Sequence, residues 1–315
     1  MIRLLLIALA AGAASAVMFA SIVSGALLSL VLFYLAPLPL MVGAIAWGPF
    51  YAAIGGIAAA LGLSLLVSLS YSLAFALAVA LPACWLGHLA MLGRAVDEAS
   101  PATIEWYPVG RMLLWIAALA ALTTFAALLT LGTDADTITD TLRRALARLS
   151  SAADSPLPPE AERWIDALIR IAPGGAAMFA TLTLSLNLWL AGKISATSGR
   201  LRRPWPDLKS TALPPMTLVA LLVAVGLSFG DGLVAMAAVI AAAALLMTYA
   251  LTGFAVLHTL TLALRSRPLW LGSVYLVVVL FLWPVLAMVA LGLADAAFGL
   301  RRRFGPRQPP PLPVP

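Results

Sequence analysis

The chain of 315 residues is 63% hydrophobic and only 10% charged, with a formal net charge of +6 at pH 7 and a mean hydropathy of +1.04. So little polar surface cannot cover a water-soluble globule, so lipid must be its solvent. The bases flank apolar runs, where they serve as topology signals and headgroup anchors, which points to the lipid bilayer and away from nucleic acid as a partner.

The stretches 4–93, 112–133, 171–192, 210–230, 232–264 and 268–294 contain no Asp, Glu, Lys or Arg. A charge at the centre of a membrane helix costs about 2.5 to 3.5 kcal/mol on insertion scales. Backbone groups in hydrocarbon must be satisfied internally, so these runs read as helices. The fold class expected is an all-α polytopic transmembrane bundle of about eight spans, near 3–35, 39–60, 62–92, 109–132, 172–194, 213–229, 232–264 and 269–294. A single transmembrane domain over 1–304 follows. Ala14-Ser15-Ala16 resembles a signal-peptide cleavage site, but the apolar run continues through Phe33 and Tyr34, so an uncleaved first span is expected. Pro37-Leu-Pro39 is expected to break the first run, with Gly55-Gly56 and Pro82 as weaker punctuation.

Eight spans place both termini on one side, and Arg3 with Arg301, Arg302, Arg303 and Arg307 makes that side cytoplasmic. The loops disagree. Arg143, Arg144, Arg148, Arg163 and Arg170 of loop 134–171 fall on the opposite face from Lys193, Arg200, Arg202, Arg203 and Lys209 of the basic loop 193–212.

Within 134–171, Ile138, Leu142, Leu146 and Leu149 recur at helical spacing, with Asp136 and Asp140 near the start. This reads as an amphipathic interfacial helix. A second short helix after Ser155-Pro-Leu-Pro-Pro159 would present Trp164, Leu168 and Ile171 along one face. The proline-rich tail 305–315 reads as disordered.

Candidate chemistry is sparse. Asn187, the chain's only asparagine, lies inside a span with Thr183 one turn earlier, and a bare amide in hydrocarbon costs several kcal/mol, so it must face protein or a ligand. Lys193, Arg200, Arg202 and Arg203 suit an anionic group or lipid phosphates. Trp205, held between Pro204 and Pro206, and Asp207 complete this stiff interfacial turn. His88 and His258 sit in apolar spans, as packing residues or as part of a polar lining. The single Cys84 and the lack of carboxylates in the apolar stretches leave no disulfide, metal site, cofactor site or catalytic constellation. The chain reads as a non-enzyme.

Several stretches together carry a resemblance: Leu35-Ala-Pro-Leu-Pro-Leu, Ala46-Trp-Gly, Leu81-Pro-Ala-Cys-Trp-Leu-Gly87, Gly199-Arg-Leu-Arg-Arg-Pro-Trp-Pro-Asp207, Gly253-Phe-Ala-Val-Leu-His258 and Gly292-Leu-Ala-Asp295. In these the chain resembles the YybS-like family of bacterial membrane proteins, which has no established activity. The resemblance implies a bacterial inner-membrane location and a bundle similar to the S components of energy-coupling-factor transporters. It also implies that Ala10 and Ala14 in the first span match the small residues with which S components dock a partner. The function expected is a solute-binding or transport-related subunit, with Asn187, His258 and the basic loop lining a cavity for a small-molecule solute. The alternative is a non-transporting scaffold for envelope or division machinery, bound to a membrane protein partner.

Overall fold

The computed structural model describes residues 2–95, 104–150 and 159–304. Seven helical segments in it are long and apolar enough to cross a membrane: Ile2–Ser24, Leu27–Trp47, Pro49–Leu66, Leu69–Ala90, Val109–Leu129, Glu162–Thr197 and Gly232–Leu260. Three shorter apolar helices complete an all-α polytopic bundle. In chain order the helices are α1 (Ile2–Ala20), α2 (Leu27–Tyr34), α3 (Pro37–Trp47), α4 (Pro49–Leu66), α5 (Leu69–Phe75), α6 (Leu81–Ala90) and α7 (Val109–Leu129). They continue as α8 (Ala135–Ser150), α9 (Pro159–Thr197), α10 (Met216–Leu227), α11 (Gly232–Leu260), α12 (Arg267–Phe281), α13 (Val285–Phe298) and α14 (Leu300–Phe304). One short hairpin, β1 (Gly93–Ala95) with β2 (Ile104–Trp106), interrupts them; the connection between its strands lies outside the described residues, as does the tail 305–315.

Several expected boundaries move. The first run divides at Gly25, whose φ of 69° ends its helical turn, and not at Pro37. Pro37 occupies the first turn of α3, where a missing N–H would be unpaired anyway, so α2 and α3 form one span. Gly48 at φ 109° before Pro49 divides the expected 39–60 span. Val67 and Ser68 interrupt 62–92, with the Ser68 hydroxyl capping α5 through the Tyr71 N–H at 3.2 Å. Four spans therefore precede Arg94. Pro82 does not end a helix, because a π-helical turn over Ala76–Ala80 absorbs the disturbance just before it.

The C-terminal half departs further. The expected short helix after Pro159 is continuous with the fifth expected span as one helix of 39 residues, α9, with Pro173 inside it. Its Ile165 and Ile169 are buried, while Trp164, Leu168 and Ile171 point outward. The segment 269–294 is not one span either. Leu282 adopts φ 57° ahead of Pro284, and the chain turns there between α12 and α13. These have 15 and 14 residues, short of the roughly 20 a crossing needs. Helix α10 has only 12 residues, about 18 Å at 1.5 Å per residue. The non-helical stretch 211–214 precedes it.

Tight helix crossings hold the bundle together. A Cβ placed on Gly12 of α1 would strike the Gly55 carbonyl of α4, and one on Gly55 would strike the Ala8 carbonyl. The same reciprocal fit joins α11 and α13: Gly253 abuts the Met288 carbonyl and Gly292 abuts the Tyr249 carbonyl. A Cβ on Gly87 of α6 would strike the Ala44 methyl group of α3. With lipid as apolar as leucine, helices gain little by merely hiding side chains, and close backbone approach supplies the packing contacts instead. One core gathers around Phe19, Leu40, Phe75, Leu86 and Ile116. A second gathers around Leu221, Met247, Tyr249 and Met288, and Ala117, Ala177 and Ile240 bridge α7, α9 and α11. Leu27, Leu65, Leu66 and Phe229 stay more than four-fifths exposed, as lipid contact permits. Ala10 and Ala14 are likewise on the exposed face of α1.

Candidate functional site: a basic face at the helix ends

Helices α3, α6 and α9 end on one face of the bundle, where their free carbonyls and dipoles favour positive charge. The basic loop supplies it. Gly199, at φ 68°, turns the chain out of α9, and the Arg200 and Leu201 N–H groups return to the Ser195 carbonyl at 2.8 and 3.0 Å. That turn sets the Arg200 guanidinium 4.8 Å over the Trp47 ring at the end of α3. Arg203 is partly buried and donates from Nη1 to the Ala90 carbonyl, the last residue of α6, at 3.4 Å. Burial lowers the pKa of this guanidinium from its ordinary value. Lys193 places its ammonium 4.2 Å over Trp205 and 5.9 Å over Trp189. Pro204 and Pro206 restrict the backbone on either side of Trp205, so the turn presents a fixed arrangement of cations.

Beside it lies a pocket of about 460 Å³ walled by Trp47, Met91, Ile104 and Trp106, with His88 and Arg202 as its charged or polar members. The hairpin forms one wall, its Arg94 bonded to Glu105 across the strands at 2.7 Å. His88 sits 6.0 Å from the Trp85 ring.

The loop then crosses to the other half of the bundle. Asp207 accepts from the Lys209 N–H at 3.2 Å, and its backbone carbonyl accepts from the Ser210 hydroxyl at 2.7 Å. The Lys209 carbonyl receives the Thr259 hydroxyl of α11 at 3.2 Å and Arg301 Nη1 at 2.8 Å. Arg301 Nη1 also donates to the Thr211 carbonyl at 2.9 Å. The backbone of 211–214 thus runs beside packed helices, with Gly110 of α7 pressed against the Ala212 carbonyl. Irregular backbone near membrane depth requires such protein partners.

The polar residues within the spans are placed apart. Asn187 is 1% exposed. Its amide donates to the Tyr34 carbonyl at 2.9 Å and the Thr183 carbonyl at 2.8 Å. The proline pair explains the need: Pro37 and Pro39 lack N–H groups, Leu38 N–H turns to Leu35, and the Tyr34 carbonyl is left for a side chain to satisfy. His258 stands in the other half, on α11, with Nε2 2.9 Å from the Tyr275 hydroxyl and Nδ1 3.5 Å from Arg267. Neither Asn187 nor His258 is among the residues lining the two pockets beside α3, and the buried Asn187 Oδ1 has no hydrogen-bond partner among the described residues. Sequence reasoning missed Tyr275, Ile104, Trp106 and the Asp295–Arg301 pair. For the last, a glycine, Gly299, between an acid and an arginine six residues apart was the available signal.

The described residues of this face include Arg94, Arg111, Lys193, Arg200, Arg202, Arg203, Lys209, Arg265, Arg267, Arg301, Arg302 and Arg303, against Glu105, Asp207 and Asp295. The opposite face carries Arg143, Arg144, Arg148, Arg163 and Arg170 among Asp134, Asp136, Asp140, Glu160, Glu162, Asp166 and Asp231. There Arg143 bonds Asp166 at 2.7 Å, tying α8 to α9.

Apolar helices arranged in this way define a multi-pass membrane protein. The family model described as "Predicted membrane protein (DUF2232)" matches residues 13–296, and the chain belongs to that family. No curated protein and no solved structure matches the chain.

Proposed function

We propose that the protein is a non-transporting scaffold of a bacterial inner membrane, whose basic face looks into the cytoplasm and docks an acidic segment of a partner protein. The observation that carries this reading is the proline-stiffened cationic turn, with Arg203 held on the Ala90 carbonyl and Arg202 exposed beside it. A partner meeting fixed cations loses less side-chain entropy than one meeting mobile lysines. The excess of bases on this face favours a cytoplasmic orientation, and with it a cytoplasmic start of α1 and end of α14. Of the two polar residues that a buried solute cavity would need, Asn187 has its amide nitrogen taken by helix carbonyls and only its Oδ1 left over, and His258 is paired with Tyr275.

The test is site-specific photo-cross-linking in intact cells from position 202, with a probe at Asp136 on the opposite face as control. A discrete cross-linked partner at position 202, lost when Arg302 and Arg303 are changed to Glu, is expected. Equal background from both positions would sink the scaffold reading. The pocket containing His88 and Arg202 favours a second reading, a solute-binding subunit of the S-component type suggested by the YybS-like resemblance. Saturable ligand stabilisation that disappears in Arg202→Ala would select it.

A further inference from the structure

We propose that the lateral groove between α1, α3 and α9 is a site for an anionic phospholipid, with an acyl chain in the groove and the phosphate held by Lys193 and Arg200. The groove has a volume of about 410 Å³ and apolar walls that include Ile7, Ala10, Val42, Trp47 and Ile194. That volume is within the range of about 300 to 1,000 Å³ typical of small-ligand sites. It lies along the bundle's flank, where hydrocarbon is the solvent, and Trp47 marks its end at the basic face.

The cations stand at that end. Arg200 stacks 4.8 Å over Trp47, and Lys193, adjacent to Ile194, lies 4.2 Å over Trp205. Arg200 is exposed, and its guanidinium carries five N–H donors that can reach phosphate oxygens while its carbon rests above the ring. Arg3 is one turn ahead of Ile7 on α1. The described carboxylates of this face are bound elsewhere: Glu105 to Arg94, Asp207 near Lys209 and Asp295 to Arg301. An anionic headgroup meets only positive charge here, whereas a zwitterionic one brings an ammonium to the same place. A second copy packing through α1 and α3 would answer these cations poorly, because residues 4–93 contain no Asp or Glu.

Native mass spectrometry of the full chain in detergent, titrated with phosphatidylglycerol or phosphatidylcholine, tests the site. Phosphatidylglycerol should be retained about tenfold more tightly, and Lys193→Gln with Arg200→Gln should remove that preference, given the contribution of each basic residue near a membrane surface. Ala10→Phe, at an exposed position, should fill the groove and lower the occupancy of both lipids without disturbing the core. Equal retention of the two lipids would overturn the proposal. So would an unchanged preference in the folded double variant, full occupancy in Ala10→Phe, or a lipid-free dimer sensitive to Ala10→Phe.

Discussion

The carboxylate of Asp295 receives the Arg301 guanidinium twice, from Nε at 2.9 Å and Nη2 at 2.7 Å, and the Arg301 backbone N–H at 2.9 Å. Gly299, left-handed at φ 66°, closes the turn that makes this possible. The side chains are only 14% and 10% exposed, so removing one partner strands a desolvated charge. Asp295→Ala or Arg301→Leu should each cost about 3 to 5 kcal/mol. The double substitution should cost less than the sum of the two. Thermal unfolding in detergent, followed by size-exclusion monodispersity, checks this; single losses below about 1 kcal/mol would mean that the pair behaves like a surface contact.

Asn187 tests a smaller term. Its amide serves the carbonyl that the proline pair leaves over at Tyr34, and interhelical bonds of this kind average about 0.6 kcal/mol in membranes. Asn187→Leu should therefore cost about 1 kcal/mol and leave the fold intact, as read from the shift of the unfolding midpoint. A complete failure to fold would assign the residue a larger role.

Glycine at the α11–α13 crossing leaves no room. A methyl group at Gly253 or Gly292 meets a backbone carbonyl rather than a side chain that can swing away. Gly253→Ala and Gly292→Ala should each cost about 1 to 3 kcal/mol, the usual penalty of overpacking. Gly226→Ala, at a position with open space around it, is the control and should change stability little when the three variants are unfolded side by side.

Asp134 opens α8 by accepting the Thr137 N–H at 2.8 Å and the Thr137 hydroxyl at 2.7 Å. These bonds, the backbone one first, hold its carboxyl below the usual aspartate range. A depressed folded value means that the cap is fully present above the unfolded aspartate pKa and is lost as pH falls through the folded value. Amide exchange in the first turn of α8 should therefore accelerate, beyond its intrinsic pH dependence, on acidification into that window. In Asp134→Asn, which caps without titrating, this extra acceleration should vanish.

The helical class and the membrane location were legible because charge is excluded from long runs, a signal summed over many residues. Boundaries were less so. Pro37 and Pro82 read as breaks, yet one sits in a first helical turn and the other behind a π-helical turn. Gly25 and Gly48 carried the true breaks, in conformations that only the folded chain reveals. Asn187 was marked as a buried amide in need of a partner; sequence could not show that its nitrogen reaches a backbone carbonyl 153 residues away. The Asp295–Arg301 pair escaped notice because acids at span edges are common, and the carbonyls it serves belong to a segment that sequence pattern treats as an ordinary loop.

That segment bears on the order of assembly. The carbonyl of Lys209 is satisfied by a guanidinium 92 residues further along the chain, and α10 is too short to settle in the bilayer as an independent span. During synthesis, residues 209–227 emerge well before Arg301 exists. The earlier helices can pack around Gly12, Gly55 and Asn187 while this stretch waits at the interface. Its final hydrogen bonds require both α11, through Thr259, and the last helices, through Arg301, to be in place.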